Sequence, residues 1–582
     1  MLSGFKFHGT VGDQPTATMT AVMVRRSLTS PIQALSDRGL VALLAMGLVV
    51  GALLVFFDLG PPLAFNDDWV YAWGVRQLVT GHGLRLFPEQ SVSAVVGVVW
   101  AAVVTVGHTD QRLLRLSALP FVGLLVWGIF SVARRLGADP YWAAAAGGAM
   151  LFQPIFLGVA TSFMTEPFYL AFLMLAAVSG MSWLTTGRGK VPTVLLAALA
   201  TLERPNGIGI AIALTVALIV FRRNINARDA SALLAVWALS ALAVAFPRLA
   251  GLETQMQALR IHQLPQLDAF VFSVDNLFRM ALYLPGILGL FCAPFLGALL
   301  VRSHTTEPDT PPRTRGPRVG VVARGTVICL AVGAALWLTL GRVPTLPGDY
   351  LMPSGLGPPH VEGSKPNLFP AWIFLAIEAV AVVSFVGLVM GTRRLGRWRE
   401  WPIGLQFLLL LSVAQLVPLL YGRSFDRYYL AVSAPLLPVV ALCVSRVGAP
   451  SAARNWAVCT FLVGILLYGV GEQDYQAWQR ARDEAASRAY AVAGPLGVNA
   501  GYEANGTYAE IPLNEQGQGL LRPLTGPLSP GLPSFAGPVN PRLVLRFAPN
   551  SDGRPGVQYW SLAPGKIIIA EPRDTAPYKP PG

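Results

Sequence analysis

Repeated apolar runs constrain the fold of this chain more than any other feature of its sequence. A run of about 18 residues or more is long enough for a helix that crosses a lipid bilayer. Of the 582 residues, 53% are hydrophobic and only 13% are charged, whereas ordinary soluble domains carry about 25% charged residues. The pattern predicts a polytopic membrane protein rather than a string of soluble domains.

The charge and the cysteines exclude several classes of function. The formal net charge of +13 would also suit a nucleic-acid-binding protein, but the basic residues cluster in alternate loops, as the positive-inside rule describes for cytoplasmic loops. No nucleic-acid partner is therefore expected. A disulfide framework or a zinc site is not expected either, because all the cysteines lie inside apolar runs: Cys292, Cys329, Cys443 and Cys459.

The apolar runs predict an all-α membrane protein with about thirteen transmembrane helices. These lie at roughly 40–57, 113–133, 141–158, 167–184, 191–203, 207–221, 231–246, 281–301, 321–341, 371–390, 403–421, 429–446 and 456–471. A further apolar stretch, 92–107, is not counted, because a span there would place Arg134 and Arg135 on the outer side. It is predicted to be an interfacial helix packed on the outer surface.

The same topology divides the chain into three regions. An odd number of spans places the N-terminus in the cytoplasm and the C-terminus outside, as in a multi-pass protein of a bacterial inner membrane. In the last region, 473–492 is predicted to be a polar helix, and 542–547 and 566–570 are predicted to be strands of a small α+β domain. The regions are a cytoplasmic tail (1–39), a transmembrane domain (40–471, with its first exterior loop at 58–112) and a periplasmic C-terminal domain (472–582).

Two adjacent carboxylates, Asp67 and Asp68, follow the point where the first predicted span emerges into water. Transfer of a sugar to a hydroxyl or an amine needs a carboxylate that takes the acceptor's proton or holds a metal or the acceptor. Neighbouring side chains point in different directions, so at most one of the two is the base. The structural alternative is helix capping, in which Asn66 or Asp67 caps a helix that contains Tyr71.

A second acid, Glu166, lies in a short exterior turn between two predicted spans. Ionisable groups this close to the membrane core are costly and often functional. The alternative is again structural: Pro167 fits the first turn of the next helix, with Thr165 or Glu166 as its cap.

Three arginines, Arg115, Arg204 and Arg427, start or end spans on the same predicted face. A guanidinium at the level of the lipid head groups can bind a phosphate through paired donors. The alternatives are snorkelling to head groups, or pairing with the neighbouring acids Glu203 and Asp426.

The first exterior loop also contains His82 and Arg85, which could contact a substrate, although a lone histidine in a loop is more often solvated. The sequence shows no P-loop, Rossmann glycine fingerprint, zinc signature or Ser/His/Asp order.

The order of these motifs resembles family 39 of the GT-C membrane glycosyltransferases, which includes protein O-mannosyltransferases and the transferases that put aminoarabinose on lipid A. The resemblance covers roughly 40–222, and from there to 471 it is mainly topology. The family's second exterior acid is commonly Asp, where this chain has Glu166. The matching elements are Asp67-Asp68-Trp69-Val70-Tyr71, Arg115-Leu116-Ser117-Ala118-Leu119, Thr165-Glu166-Pro167, Arg204-Pro205-Asn206-Gly207 and Arg427-Tyr428.

The resemblance implies a GT-C fold and an inverting transfer from a polyprenyl-phosphate sugar to a lipid, glycan or protein acceptor on the outer side. Asp67 would be the base, and Asp68 and Glu166 would position the acceptor, the donor or a metal. A divalent metal ion is left open, and no other cofactor is implied. The residues expected to contact phosphate or substrate are Tyr71, His82, Arg85, Arg115, Arg204, Arg427 and Tyr428.

Two other functions fit the sequence: a flippase or transporter of polyprenyl-linked lipids, and a non-catalytic scaffold for an envelope assembly. Transporters usually place ionisable residues or broken helices near the bilayer midplane and contain repeated halves. This sequence has few charges in the middle of its spans, of which Glu378 is the clearest, and no evident repeat. The sequence does not specify the sugar or the acceptor.

Overall fold

The computed structural model describes residues 47, 65–87, 90, 92–221, 225–252, 267–300, 346–358, 361, 363, 365–420, 425–447, 449–494, 497–508, 542–549, 556–559 and 566–572. The helices in this part of the chain are α1 (Asp68–Val79), α2 (Val95–Val104), α3 (Gln111–Arg135), α4 (Pro140–Leu151), α5 (Pro154–Ala160), α6 (Glu166–Thr186), α7 (Lys190–Glu203), α8 (Gly209–Val216), α9 (Ala227–Leu249), α10 (Leu267–Cys292), α11 (Leu296–Leu299), α12 (Ala371–Thr392), α13 (Ile403–Ala414), α14 (Leu430–Ser445), α15 (Ser451–Ala493) and α16 (Tyr502–Tyr508). The strands are β1 (Leu351–Met352), β2 (Gly355–Leu356), β3 (Val498–Asn499), β4 (Leu543–Pro549), β5 (Val557–Gln558) and β6 (Lys566–Pro572).

Among the described residues, eight helical segments are long and apolar enough to cross a membrane. Apart from residue 47, the predicted spans 40–57 and 321–341 lie outside the described residues. Two other predicted spans are shorter than a full crossing: α7 has 14 residues, and Pro205–Phe221 is a short apolar helix. The eight segments are Gln111–Arg135, Glu166–Thr186, Ala227–Leu249, Asn276–Leu299, Ala371–Thr392, Ile403–Leu420, Asp426–Ser445 and Ser451–Ala493.

The predicted span 141–158 is not one straight helix. It is made of α4 and α5, which meet at an angle of 70° and would count as a ninth crossing if taken together. Pro154 lacks a backbone N–H and begins α5, while the Gln153 side chain accepts a hydrogen bond from the Ile155 N–H. A proline breaks the hydrogen-bond ladder of a helix, so the predicted span contains a bend at Pro154.

The helix pair α6 and α7 defines two ends of the bundle. The two helices pack side by side and are joined by a tight turn at 187–189. They run in opposite directions, because Glu166 at the start of α6 lies 2.7 Å from Arg204, which follows α7. Gly189 in this turn has φ +85°, and a Cβ there would lie 2.6 Å from the Ser179 carbonyl oxygen, so a larger residue does not fit. We call the end that contains the start of α6 the Asp67 end, and the end that contains the start of α7 the Lys190 end.

The two most enclosed crossing segments begin at the Asp67 end. Within the 18-residue apolar stretch of each segment, 89% is buried in Asp426–Ser445, which contains α14, 78% in α6 and 22% in α9. The short helix α2 has 10 residues and packs on α1, α3 and α7 at this end. Polar residues at the start of α6 and α14 are therefore enclosed by protein.

The C-terminal region contains the small sheet that the sequence predicts. The predicted strands 542–547 and 566–570 are confirmed as β4 and β6, which pair antiparallel from Leu543 opposite Pro572 to Pro549 opposite Lys566. The strand order is β3-β4-β6-β5. The predicted domain boundary at 471 falls inside α15, a continuous helix of 43 residues that carries both the last crossing and the predicted polar helix.

Candidate active site

The Arg427 side chain is the centre of a cluster of acids and arginines at the Asp67 end. Its Nη2 lies 2.8 Å from Asp67 Oδ2, and its Nε lies 3.1 Å from Asp349 Oδ2 and 3.9 Å from Glu166 Oε1. One guanidinium is thus shared by three carboxylates that come from the start of α1, the segment before β1 and the start of α6. With Arg204, these residues form what we call the acid–arginine cluster.

The second guanidinium of the cluster, Arg204, binds the start of α6. Its Nη2 lies 2.7 Å from Glu166 Oε1, and its Nε donates to Thr165 Oγ1 at 2.7 Å. Burial lowers the pKa of Arg204, but Glu166, Tyr71 and Tyr428 together raise it, so the pKa lies above its ordinary value. Arg204 is therefore a permanent cation, and Glu166 bridges the two arginines.

The two neighbouring aspartates have different surroundings. The Asp67 side chain is 26% exposed, and its Oδ1 accepts a hydrogen bond of 3.0 Å from the Tyr502 hydroxyl. The Asp68 side chain is fully buried, lies 3.2 Å from Arg115 and accepts a 2.7 Å hydrogen bond from the Phe65 N–H. Burial raises the pKa of Asp68 to about 6, although Arg115 opposes this shift. Asp67 is thus the acid that can meet a substrate.

The capping roles considered from the sequence do not describe these side chains. Asp67 occupies the position before α1 and Thr165 the position before α6, but neither side chain makes a capping hydrogen bond. Both make contacts with arginines instead: Asp67 with Arg427 and Thr165 with Arg204. The acids and hydroxyls at these helix starts are therefore committed to the cluster.

Glu203 and Asp426, which precede the two arginines in the sequence, accept hydrogen bonds from backbone N–H groups. Glu203 accepts a 2.9 Å hydrogen bond from the Gly97 N–H of α2. Asp426 accepts hydrogen bonds from the N–H groups of Tyr350, at 3.0 Å, and Leu351, at 2.8 Å. Asp426 thus holds the segment before β1 against the start of α14, which brings Asp349 to the cluster.

Aromatic rings enclose the Arg427 guanidinium. Its central carbon lies 5.7 Å from the ring centroid of Tyr350 and 5.4 Å from that of Tyr428. Gly158 makes room for the Tyr350 ring, because a Cβ there would lie 2.9 Å from it. Burial raises the pKa of the Tyr350 and Tyr71 hydroxyls, so both stay protonated. The rings keep the cluster in a low-dielectric environment, where ion pairs are stronger than in water.

Of the predicted site residues, Asp68 and Arg115 form a separate buried pair, and His82 and Arg85 lie apart from both groups. His82 and Arg85 are exposed in the loop after α1, and His82 Nδ1 lies 2.8 Å from the hydroxyl of Thr80 in the same loop. No contact within the described chain joins either side chain to the acid–arginine cluster. The positions of His82 and Arg85 therefore do not support their predicted contact with a substrate.

Three residues of the site were not selected from the sequence. Asp349 and Tyr350 form an acid–aromatic pair in a Pro- and Gly-rich loop, which is a signal that could have been found. Tyr502 is separated from Asp67 by 435 positions, and nothing in its local sequence indicates the contact.

The part of the chain that the structure describes contains no group of three or more His, Cys, Asp or Glu side chains placed to hold a metal ion. The carboxylates of the cluster contact guanidinium groups instead. The divalent metal ion left open by the sequence thus has no ligand set among these residues.

The fold and the site define a polytopic, mostly helical membrane protein with a buried acid–arginine cluster at one end of its helices.

No family model matches the chain, and no curated protein matches it. Its fold is similar to two crystal structures of ArnT from Cupriavidus metallidurans. The apo structure aligns over 77% of this chain and 80% of that chain, at 15% identity and a TM-score of 0.34. The structure bound to undecaprenyl phosphate aligns over 91% of this chain and 97% of that chain, at 15% identity and a TM-score of 0.38.

Proposed function

We propose that this chain is a GT-C type glycosyltransferase. It transfers a sugar from a polyprenyl-phosphate donor to an acceptor on the outer side of a bacterial inner membrane. The proposal rests on the sharing of Arg427 by Asp67, Glu166 and Asp349. Arg427 and Glu166 lie at the start of the two most enclosed crossing segments. Buried ionisable groups are costly in a membrane protein and usually mark function.

Asp67 is the proposed general base. It is the most exposed of the three acids around Arg427: its side chain is 26% exposed, against 1% for Glu166 and 6% for Asp349. In the reaction the acceptor oxygen forms a bond to the anomeric carbon, and its proton passes to Asp67. The bond from that carbon to the phosphate oxygen breaks, and the electron pair leaves with the phosphate.

The arginines are the proposed phosphate site. A phosphate leaving group needs stabilisation of negative charge rather than a proton from an acid. Arg427 contacts three carboxylates, so a phosphate can replace one of them while the guanidinium stays paired. Arg204 contributes a second permanent cation beside it. The paired donors of a guanidinium match the oxygens of a phosphate.

The orientation in the membrane follows from the distribution of basic residues. Arg134 and Arg135 end α3, and Lys190 begins α7, all at the Lys190 end. Basic loops face the cytoplasm, so this end is proposed to be cytoplasmic and the Asp67 end exterior. The prenyl chain of the donor would lie in lipid beside the helices, with its phosphate at the level of the head groups.

The test compares Asp67→Asn with the matched variant Asp110→Asn. Asp110 is exposed at the same end and caps α3 by accepting hydrogen bonds from the N–H groups of Arg112 and Leu113, a role that Asn also fills. The full chain in liposomes would receive radiolabelled undecaprenyl-phosphate sugars and a bacterial envelope extract as acceptor. We expect a loss of transfer of at least about 100-fold in Asp67→Asn and none in Asp110→Asn.

Full transfer by Asp67→Asn would contradict the role of this residue. Movement of intact labelled donor across the bilayer, without any cleavage, would support the transporter instead.

A further inference from the structure

A tyrosine from the C-terminal domain donates a hydrogen bond to Asp67, the candidate base. Tyr502 begins α16, and its hydroxyl lies 3.0 Å from Asp67 Oδ1, while Asp67 Oδ2 pairs with Arg427. An O–H group that donates to a carboxylate is the same arrangement that an acceptor hydroxyl must adopt before it loses its proton to a base. The phenol therefore stands where an acceptor hydroxyl would bind.

The fold of the C-terminal domain brings Tyr502 to this position independently of Asp67. The next residue, Glu503, forms an ion pair of 2.8 Å with Arg482 of α15, and both side chains are fully buried. Asn505 Oδ1 accepts a 2.8 Å hydrogen bond from the Ala500 N–H, which closes the turn before α16. Because these contacts fix the backbone on both sides of Tyr502, its ring is held over the site by the domain.

Aromatic packing also holds the Tyr502 ring. Its centroid lies 5.2 Å from that of Trp69, edge to face, and Trp69 is buried against Phe87. Replacing Tyr502 by Phe would keep this aromatic contact and remove a single oxygen atom. The place of that oxygen, next to Asp67 Oδ1, suits one water molecule that would donate to the carboxylate.

We propose that Tyr502 is a specificity-determining residue that occupies the acceptor-hydroxyl position on Asp67 until the acceptor displaces it. This inference rests on the proposed function. Its consequence is protection of the donor from water. Without the phenol, a water molecule can give its proton to Asp67 while its oxygen bonds to the anomeric carbon. The bond to the phosphate oxygen then breaks with its electron pair, and the net reaction is hydrolysis of the donor.

The experiment measures donor hydrolysis without any acceptor. The full chain in liposomes receives radiolabelled undecaprenyl-phosphate sugars, one hexose, one pentose and one aminopentose, and the release of water-soluble label is followed. We expect Tyr502→Phe to raise hydrolysis about tenfold, the effect of one hydrogen bond to a charged group. Transfer to an envelope extract should change by less than that, so the ratio of transfer to hydrolysis falls.

Two controls separate this role from general damage. Tyr141→Phe removes another partly buried phenol, which donates to the Arg454 carbonyl oxygen away from the site, and should leave hydrolysis unchanged. The double variant Tyr502→Phe with Asp67→Asn should lose the added hydrolysis, because the water then lacks its base.

The outcomes are distinct. Lower transfer with no rise in hydrolysis would overturn the inference, because Tyr502 would then only orient Asp67. No change in either rate would also overturn it. A wild-type chain that neither transfers nor hydrolyses any of the three sugars would overturn the proposed function, and this inference with it.

Discussion

The two ends of the α6–α7 pair use buried charge differently. At the Lys190 end, Asp229 of α9 lies 2.8 Å from Lys190 Nζ and accepts a 2.7 Å hydrogen bond from the Trp183 indole N–H. These groups come from α6, α7 and α9, so one carboxylate joins three helices. At the Asp67 end, one guanidinium is instead shared by three carboxylates, and one of these, Asp67, is partly open to solvent.

This difference indicates that the charges at the Lys190 end have a structural role, whereas those at the Asp67 end form a candidate site. At the Lys190 end, the charge of the buried Asp229 carboxylate is balanced by Lys190, and Trp183 donates a hydrogen bond to it. Such a pairing satisfies a buried carboxylate without any further role. An arginine shared by several acids concentrates like charges that repel one another, which a stable fold alone does not require. The Asp67 end is therefore expected to fail in function when altered, and the Lys190 end only in stability.

The largest expected effect comes from Arg427→Gln. This change leaves Asp67, Glu166 and Asp349 close together without the guanidinium, and loss of one partner of a buried ion pair typically costs about 3–5 kcal/mol. We expect both the loss of sugar transfer from an undecaprenyl-phosphate donor and a clearly lower apparent melting temperature. Transfer in liposomes and thermal unfolding in detergent would be measured on the same preparation.

The matching change at the other end is Lys190→Met. The Lys190 side chain is 21% exposed, but its partner Asp229 is fully buried. Loss of the lysine leaves a buried carboxylate without its cation and should cost about 3 kcal/mol, while sugar transfer stays unchanged. If Lys190→Met abolished transfer while Arg427→Gln did not, the contrast between the two ends would be reversed.

A smaller effect concerns the pH dependence of stability. The folded-state pKa of Asp68 is raised by burial from 3.8 to about 6, so the folded state binds more protons than the unfolded state between these values. The contribution of Asp68 to stability is therefore full below about pH 3.8 and is lost as the pH rises through 6. The expected difference is at most about 3 kcal/mol.

Comparison with Asp68→Asn isolates this effect, because Asn does not titrate and can still accept the hydrogen bond from the Phe65 N–H. Apparent melting temperatures would be measured for both proteins from pH 4 to 7. The wild type should lose stability relative to Asp68→Asn as the pH rises. A constant difference across this range would contradict the raised pKa.

The sequence predicts much of the fold, because membrane crossings have a strong local signal. Long apolar runs correctly place most of the crossing helices, and short apolar runs in the C-terminal region place β4 and β6. The break between α4 and α5 was missed at Pro154, because the apolar composition continues across it. The continuity of α15 was missed for the opposite reason: its composition changes from apolar to polar while the helix runs on.

The sequence selects four of the five residues of the acid–arginine cluster, but it does not predict which of them pair. The positions of Asp67, Glu166, Arg204 and Arg427 at helix ends follow from topology. Their partners do not, because pairs such as Asp67 with Arg427 join positions 360 residues apart. The local alternative of Arg427 with the adjacent Asp426 is not formed, since Asp426 holds backbone N–H groups instead. Long-range packing decides which charges meet.

The most direct measurement of the central claim is a structure of the full chain with undecaprenyl phosphate bound. The account predicts that the phosphate lies at the Asp67 end, within hydrogen-bond distance of Arg427 or Arg204, with Asp67 facing the space beside it. A phosphate bound at the Lys190 end, or a lipid whose phosphate touches none of the arginines of the cluster, would contradict it.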